Sequence, residues 1–225
     1  TTAFIDFLQN HDQIGNRAFG DRLGTLAPPE GLKAATAALL LAPAIPLLFM
    51  GQEWGAEQPF LFFCDLGDEL KAAVRDGRRR EFKDFPQFRD EEARERIPDP
   101  TAEETFRRSV LIRPAADDAA AHAWLDLHRT LLALRRDEIV PRLAGAAAGR
   151  LVWRSAAGLA VAWRLGDGAR LTLMTNLAAE PTPEPPPRPA GRRLYATETA
   201  FDPAAPLAAW STAVFLDTAS AGQES

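Results

Sequence analysis

Cysteine is almost missing from this chain: Cys64 stands alone among 225 residues, so no internal disulfide can form. A single thiol fits a reducing compartment, and a cytoplasmic location is expected. Long apolar runs are missing too. No stretch approaches the ~18 residues that read as a transmembrane helix, and none pairs a basic segment with an apolar core as a secretory signal does. Excess positive charge is lacking: 26 Lys and Arg against 31 Asp and Glu leave a net charge of -5. That argues against a general nucleic-acid binder, which needs clustered cations facing phosphates. No His/Cys/Asp cluster has metal-ligand spacing, and neither a glycine-rich phosphate loop nor a nucleophile elbow is present. No metal and no cofactor is expected, and no nucleic-acid or membrane partner.

What is there belongs to a soluble globular protein, 46% apolar and 25% charged, with length for one large domain or two modest ones. The stretch Phe4-Ile-Asp-Phe-Leu-Gln-Asn-His-Asp-Gln-Ile-Gly-Asn-Arg17 organises the rest. Phe4 to Gln9 reads as a buried strand, and it runs directly into a polar cluster of Asn10, His11, Asp12, Gln13 and Asn16. An acid, an imidazole and three amides on an anchored tip are suited to gripping a polyhydroxylated ligand. The chain opens on Thr1-Thr2 rather than Met and enters this strand almost at once, so its start reads as cut.

A helix is expected from about Glu30 to Ala42, stopped by Pro43. Ile45-Pro-Leu-Leu-Phe-Met50 follows, apolar on both faces as strands of a covered parallel sheet are. It ends in a second polar tip, Gly51-Gln-Glu-Trp-Gly55. Strand, helix, strand at this spacing is a βαβ unit with parallel, adjacent strands, which brings Asp12 and Glu53 to one carboxyl edge. Ligands bind at that edge in open α/β sheets and in β/α barrels. Taken singly, each tip also reads as a loop of ordinary solvated turn residues.

Residues 56 to 113 are irregular and charged, with one or two helical turns expected between Asp65 and Glu81. Arg75, Arg78, Arg79 and Arg80 read as a solvated surface balanced by Asp76 and Glu81. Phe82, Phe85 and Phe88 are expected to pin this segment to the body. A helix resumes near Asp118, with Trp124, Leu127, Leu131, Leu132 and Leu134 on one stripe. His122 and His128 on it read as surface or packing residues. After Pro141 come short strands at 150–154, 159–164, 170–175, 194–196 and 213–216, with Gly166-Asp-Gly168 as a hairpin turn. Pro181 to Gly191 cannot join a central strand, and Ser220 to Ser225 is a polar tail. Trp153, Trp163 and Trp210 are expected to pack inside. Residues 141–225 are therefore expected to form a small antiparallel β-sandwich.

Phe7-Leu-Gln-Asn-His-Asp-Gln-Ile-Gly-Asn-Arg17 with Ala44-Ile-Pro-Leu-Leu-Phe-Met-Gly-Gln-Glu-Trp54 resembles the last two barrel strands of the α-amylase superfamily. Pro59-Phe-Leu-Phe-Phe-Cys-Asp65, Gly77-Arg-Arg-Arg-Glu-Phe82 and Leu132-Ala-Leu-Arg-Arg136, running to Ile139-Val-Pro-Arg142, narrow it. They are similar to the malto-oligosyltrehalose trehalohydrolases. The resemblance implies a retaining glycosidase, an α/β plus all-β chain in which residues 1–140 are the last two βα units of a (β/α)8 TIM barrel. Only one of the three carboxylates such enzymes use maps here. It is Asp12, as the transition-state stabiliser; the nucleophile and the acid/base fall outside this sequence. His11 matches a histidine that contacts sugar hydroxyls, and Gln13, Ile14, Gly15 and Asn16 match the following substrate-contacting turn. Glu53 and Trp54 sit where the last barrel strand ends, as further substrate contacts. Gln52 stands where Glu is expected and Leu66 where His is expected.

The implied substrate is malto-oligosyltrehalose or a related α-1,4-glucan, and the implied partner is the missing N-terminal part of the barrel. A branching enzyme, an amylase, or a non-catalytic fragment that binds glucan or docks to another chain are the alternatives. The isolated chain is expected to be inactive.

Overall fold

The computed structural model describes residues 3–218. The expected polar tail, Ser220 to Ser225, lies outside the described residues. The chain divides into two compact units. The first gathers the described residues up to Leu8, Ala27–Leu47 and the residues from Trp124 onward; the second gathers Gln9–Leu26 and Leu48–Ala123.

Along the chain run β1 (Ile5–Asp6), α1 (His11–Gly15), α2 (Leu23–Leu26), α3 (Pro29–Leu41) and β2 (Ile45–Pro46). Then follow α4 (Asp68–Glu81), α5 (Glu91–Glu95), α6 (Glu103–Ser109) and α7 (Ala119–Leu134). The chain ends with β3 (Arg150–Arg154), β4 (Gly158–Arg164), β5 (Arg170–Asn176), β6 (Arg192–Ala196) and β7 (Ser211–Asp217).

The first unit is built on one antiparallel sheet in the order β3-β4-β5-β7-β6. Two of its three inner strands, β5 (Arg-Leu-Thr-Leu-Met-Thr-Asn) and β7 (Ser-Thr-Ala-Val-Phe-Leu-Asp), are buried along nearly their whole length. Both faces must therefore be covered. On one face Ala160, Met174, Ala213 and Phe215 form a core with Leu207, flanked by Val152, Trp153, Ala196 and Phe201. On the other, α3 packs on β5 and β7, and Thr212 Oγ1 donates to the Ala34 carbonyl at 2.9 Å. A helix and an irregular segment thus supply the layers that a sandwich would draw from a second sheet. The expectation of two packed sheets is corrected to one, because the proline-rich residues 181–191 form no strand and the chain between β5 and β7 adds only β6, at the edge. The turn Gly166-Asp-Gly168 joins β4 to β5, with Gly168 at φ 85° and Asp167 Oδ1 accepting from the Ala169 amide at 3.0 Å.

α3 consists mostly of strong helix formers with Pro29 at its first position, where no N–H is needed. Gly31 is the place where Trp210 lies on the helix; a methyl there would stand 2.8 Å from the indole Cε3. α7 passes into a wider turn at Arg135–Ile139 and a tight one at Val140–Arg142. Arg135 is buried there and donates to the carbonyl of Leu40 in the last turn of α3 and to those of Ala42, Pro43 and Ala44 just beyond it. His128 is buried on α7 with Nδ1 2.9 Å from the Trp124 carbonyl, whereas Leu132 of the expected apolar stripe is exposed.

β1 and β2 pair in parallel, Ile5 with Ile45 and Asp6 with Pro46, as the βαβ reading predicted. Their lengths do not match it. The expected strands 4–9 and 45–50 shrink to two residues each. The Ile45 amide donates to the Phe4 carbonyl and the Leu47 amide to the Asp6 carbonyl, so Pro46, between them, leaves this ladder intact. Nor are they buried: Phe4 is 70% and Ile5 58% exposed. Among the described residues these are the only two parallel strands, and an apolar strand buries its side chains only where further strands or helices flank it.

In the second unit, residues 56–113 are more regular than expected. α4 is a single 14-residue helix, not one or two turns. Phe82 and Phe88 pin it into a core with Ala93 and Ile97, while Phe85 is about half exposed. Phe49, Phe60, Phe63 and Phe106 form a chain of edge-on ring pairs with centroids 5.2–5.6 Å apart. No helix among the described residues is long and apolar enough to cross a membrane.

Candidate active site

All eight residues expected to act on substrate fall in the second unit. Asn10 is extended, at φ -143° and ψ -178°, and its Oδ1 accepts from the Gln13 amide at 2.9 Å. That is the N-cap role asparagine favours, and it starts α1 at His11. Asp12 follows in the first turn, where the helix dipole favours a carboxylate. Ile14 turns into the core, and Gly15 packs on the Phe60 ring, 3.7 Å from where a Cβ would stand. Ile14 and Gly15 therefore anchor the turn, while His11, Asp12, Gln13 and Asn16 face solvent. His11 Nε2 lies 3.4 Å from Asp12 Oδ1, with both side chains about 70% exposed.

The second tip is one tight turn, Gln52–Trp54, bracketed by Gly51 and Gly55 at φ 85° and 70°. Only glycine adopts these conformations at no steric cost. A methyl at Gly51 would also stand 2.8 Å from Ala56 and 2.9 Å from Leu111. Glu53 and Trp54 are half-buried. Gln52, where the resemblance leads one to expect Glu, is buried with neither amide atom hydrogen-bonded.

Two buried arginines hold the tips: Arg22, which sequence reasoning passed over, and Arg78, which it placed at the surface. Arg22 is 1% exposed. Its Nη1 donates to the Met50 carbonyl at 2.9 Å and its Nε to Gln58, so it ties the two ends of the Glu53 tip together. Its guanidinium lies over Phe49. Burial pushes the Arg22 pKa down, against the opposing pull of the Glu53 carboxylate. The next residue, Leu23, donates its amide to the buried Gln9 side chain at 2.9 Å, immediately before the first tip. Arg78 was expected on a solvated surface. It is instead 6% exposed, and its guanidinium reaches the carbonyls of Gly15 and Arg17 beside α1. Of the other three, Arg80 is exposed as expected and Arg75 half-buried, while Arg79 is half-buried with its Nε out of reach of solvent.

The arrangement offers an acceptor-only carboxylate, an imidazole and two amide side chains on a short, tied-down turn open to solvent. Such a set suits hydrogen bonds to sugar hydroxyls. Among the described residues no group of three or more His, Cys, Asp or Glu side chains could hold a metal ion.

Residues 140–214 match a family described as a domain of unknown function, DUF3459. A malto-oligosyltrehalose trehalohydrolase from Deinococcus radiodurans is 41% identical over 185 residues, 77% of this chain and 30% of that protein. One from Saccharolobus solfataricus is 38% identical over 135 residues, 60% of this chain and 21% of that protein. The crystal structure of a Salmonella typhimurium protein assigned as an alpha amylase superimposes with a TM-score of 0.84 at 43% identity, covering 96% of this chain and 35% of that one. The chain thus spans about a third or less of the length of these relatives. It is related by sequence to the malto-oligosyltrehalose trehalohydrolases, and by sequence and fold to an α-amylase-type structure.

Proposed function

We propose that this chain is the C-terminal part of a retaining glycoside hydrolase that cleaves the α-1,4-glucosidic bond next to the terminal trehalose unit of malto-oligosyltrehalose. Asp12 is the transition-state-stabilising carboxylate in this reading. His11, Gln13, Asn16, Glu53 and Trp54 contact the sugar, and Ile14 and Gly15 hold the turn that presents it. The observation that carries the reading is the Asn10-capped turn that lifts His11 and Asp12 into solvent, in a chain 41% identical to a trehalohydrolase.

The chemistry is consistent with that geometry. Glycoside cleavage passes through an oxocarbenium-like state, and a fixed carboxylate bridging ring hydroxyls grips that state more tightly than the ground state. A retaining mechanism also needs a nucleophile and an acid/base carboxyl about 5–5.5 Å apart, and both belong to the remainder of the enzyme. Residues 1–140 are the closing βα units of its barrel, and 141–225 its C-terminal β domain. The bare apolar side chains of Phe4, Ile5 and Ile45 support further barrel strands as their cover.

The test is Asp12→Asn in the full-length enzyme with malto-oligosyltrehalose as substrate. Turnover falls at least about a hundredfold, while the melting temperature stays within a degree or two, because the side chain is 71% exposed. Near-normal turnover removes Asp12 from the catalytic set. The 43% identical structure assigned as an alpha amylase favours a second reading, an enzyme cutting uncapped glucans. Product analysis separates the two: release of free trehalose marks the first, and release of maltose or short glucans without trehalose marks the second.

A further inference from the structure

A carboxylate on a five-residue helix is a precise tool only if the helix is held, for one turn and a half is far too short to persist alone. α1 is tied at its start by the Asn10 cap and in its middle by the buried Ile14. Its end is the weak point, since the last carbonyls of a helix have no partner within it. Arg78, 63 residues away in sequence, supplies one. Nη2 donates to the Gly15 carbonyl at 2.7 Å and to the Arg17 carbonyl at 3.0 Å, and Nη1 pairs with Glu81 at 2.8 Å. The guanidinium also lies over two rings, 5.0 Å from the centroid of Phe62 and 4.7 Å from that of Phe82.

We propose that Arg78 is a positioning residue for Asp12: a guanidinium fixed by two aromatic rings and Glu81 clamps the end of the turn that carries the carboxylate. The inference rests on the reading of Asp12 as the transition-state stabiliser. Burying a guanidinium is costly unless it is paired and hydrogen-bonded, and of the four arginines on α4 only Arg78 is fully buried. The function of the buried one lies in what it holds. A lysine can replace the charge but not the planar fork or the ring stacking.

In the full-length enzyme, Arg78→Met lowers kcat for malto-oligosyltrehalose at least tenfold and changes KM less than threefold, while Arg78→Lys recovers part of the loss. In an Asp12→Asn background the same Arg78→Met change lowers the residual rate by less than twofold, because no carboxylate remains to be positioned. An unchanged kcat in Arg78→Met, or an equal fold-loss in both backgrounds, overturns the positioning role. Near-normal turnover in Asp12→Asn alone overturns the reading beneath it. If Arg78→Met does not fold, amide hydrogen exchange in the Arg78→Lys protein decides. The Asn16 amide, which donates to the Asp12 carbonyl at 2.9 Å, exchanges at least tenfold faster than in the unaltered protein, while the amides of β5 keep their protection. Unchanged exchange at Asn16 overturns the proposal.

Discussion

Replacing Arg135 with Met keeps an aliphatic side chain and removes the group that satisfies the end of α3 and the chain just beyond it. Four carbonyls lose their donor: Ala42 and Ala44 at 2.5 and 2.7 Å, Leu40 and Pro43 at 3.1 and 3.4 Å. The two short contacts are charge-assisted bonds, worth roughly 1.5–3 kcal/mol each when the acceptor is left without a substitute. The two long ones add little. Against this, Met escapes the cost of burying a cation, which already pushes the Arg135 pKa down. The net loss is about 3 kcal/mol, a large share of the ~5–15 kcal/mol that stabilises a typical domain. With a urea dependence of ~2–3 kcal/mol per molar, the midpoint moves down by about 1 M.

The loss should appear in the first unit, which holds Trp124, Trp153, Trp163 and Trp210, so tryptophan fluorescence during urea unfolding reports it directly. Arg135→Lys is expected at an intermediate midpoint, since an ammonium reaches one or two of the four oxygens. A midpoint within ~0.2 M of the unaltered protein for Arg135→Met would refute the claim that these carbonyls depend on the guanidinium.

Two further outcomes follow from particular contacts. Gly31→Ala places a methyl 2.8 Å from the Trp210 ring and should destabilise by about 1–3 kcal/mol despite the better helix propensity of alanine; a stabilised protein in thermal denaturation would contradict the packing. Burial, reinforced by Asp99 and then Asp65, holds the Cys64 thiol pKa above its ordinary value. The folded chain then keeps its proton at pH values where the unfolded chain has lost it. Stability from this group is present below the unfolded thiol pKa and declines as pH rises through it toward the raised folded value. Alkylation by iodoacetamide, followed across pH 7–10, should have its midpoint above that of a small free thiol, and a lower midpoint would exclude the assigned cause.

The antiparallel sheet was legible because its causes are local. Runs such as Leu171-Thr-Leu-Met-Thr175 are rich in residues that suit a pleated surface, and Gly166-Asp-Gly168 permits the positive φ a tight hairpin demands. α3 was legible for the same reason, as was the parallel pairing of β1 with β2 that it connects. The Asn10-His11-Asp12 turn could be located because a cap acts over three residues. The number of sheets and the true lengths of β1 and β2 could not be read, since both depend on what lies beside a strand.

Sequence alone determined where the strands, the long helix and the polar turns begin, since propensity, caps and turn chemistry act over a few neighbouring residues. Tertiary structure alone decided which arginines are buried. Arg78 and Arg80 are chemically identical two positions apart, yet only Arg78 meets the Gly15 carbonyl, and Arg135 finds its acceptors more than 90 residues away. A guanidinium leaves water only where distant backbone gathers acceptors around it, and no local pattern records that meeting.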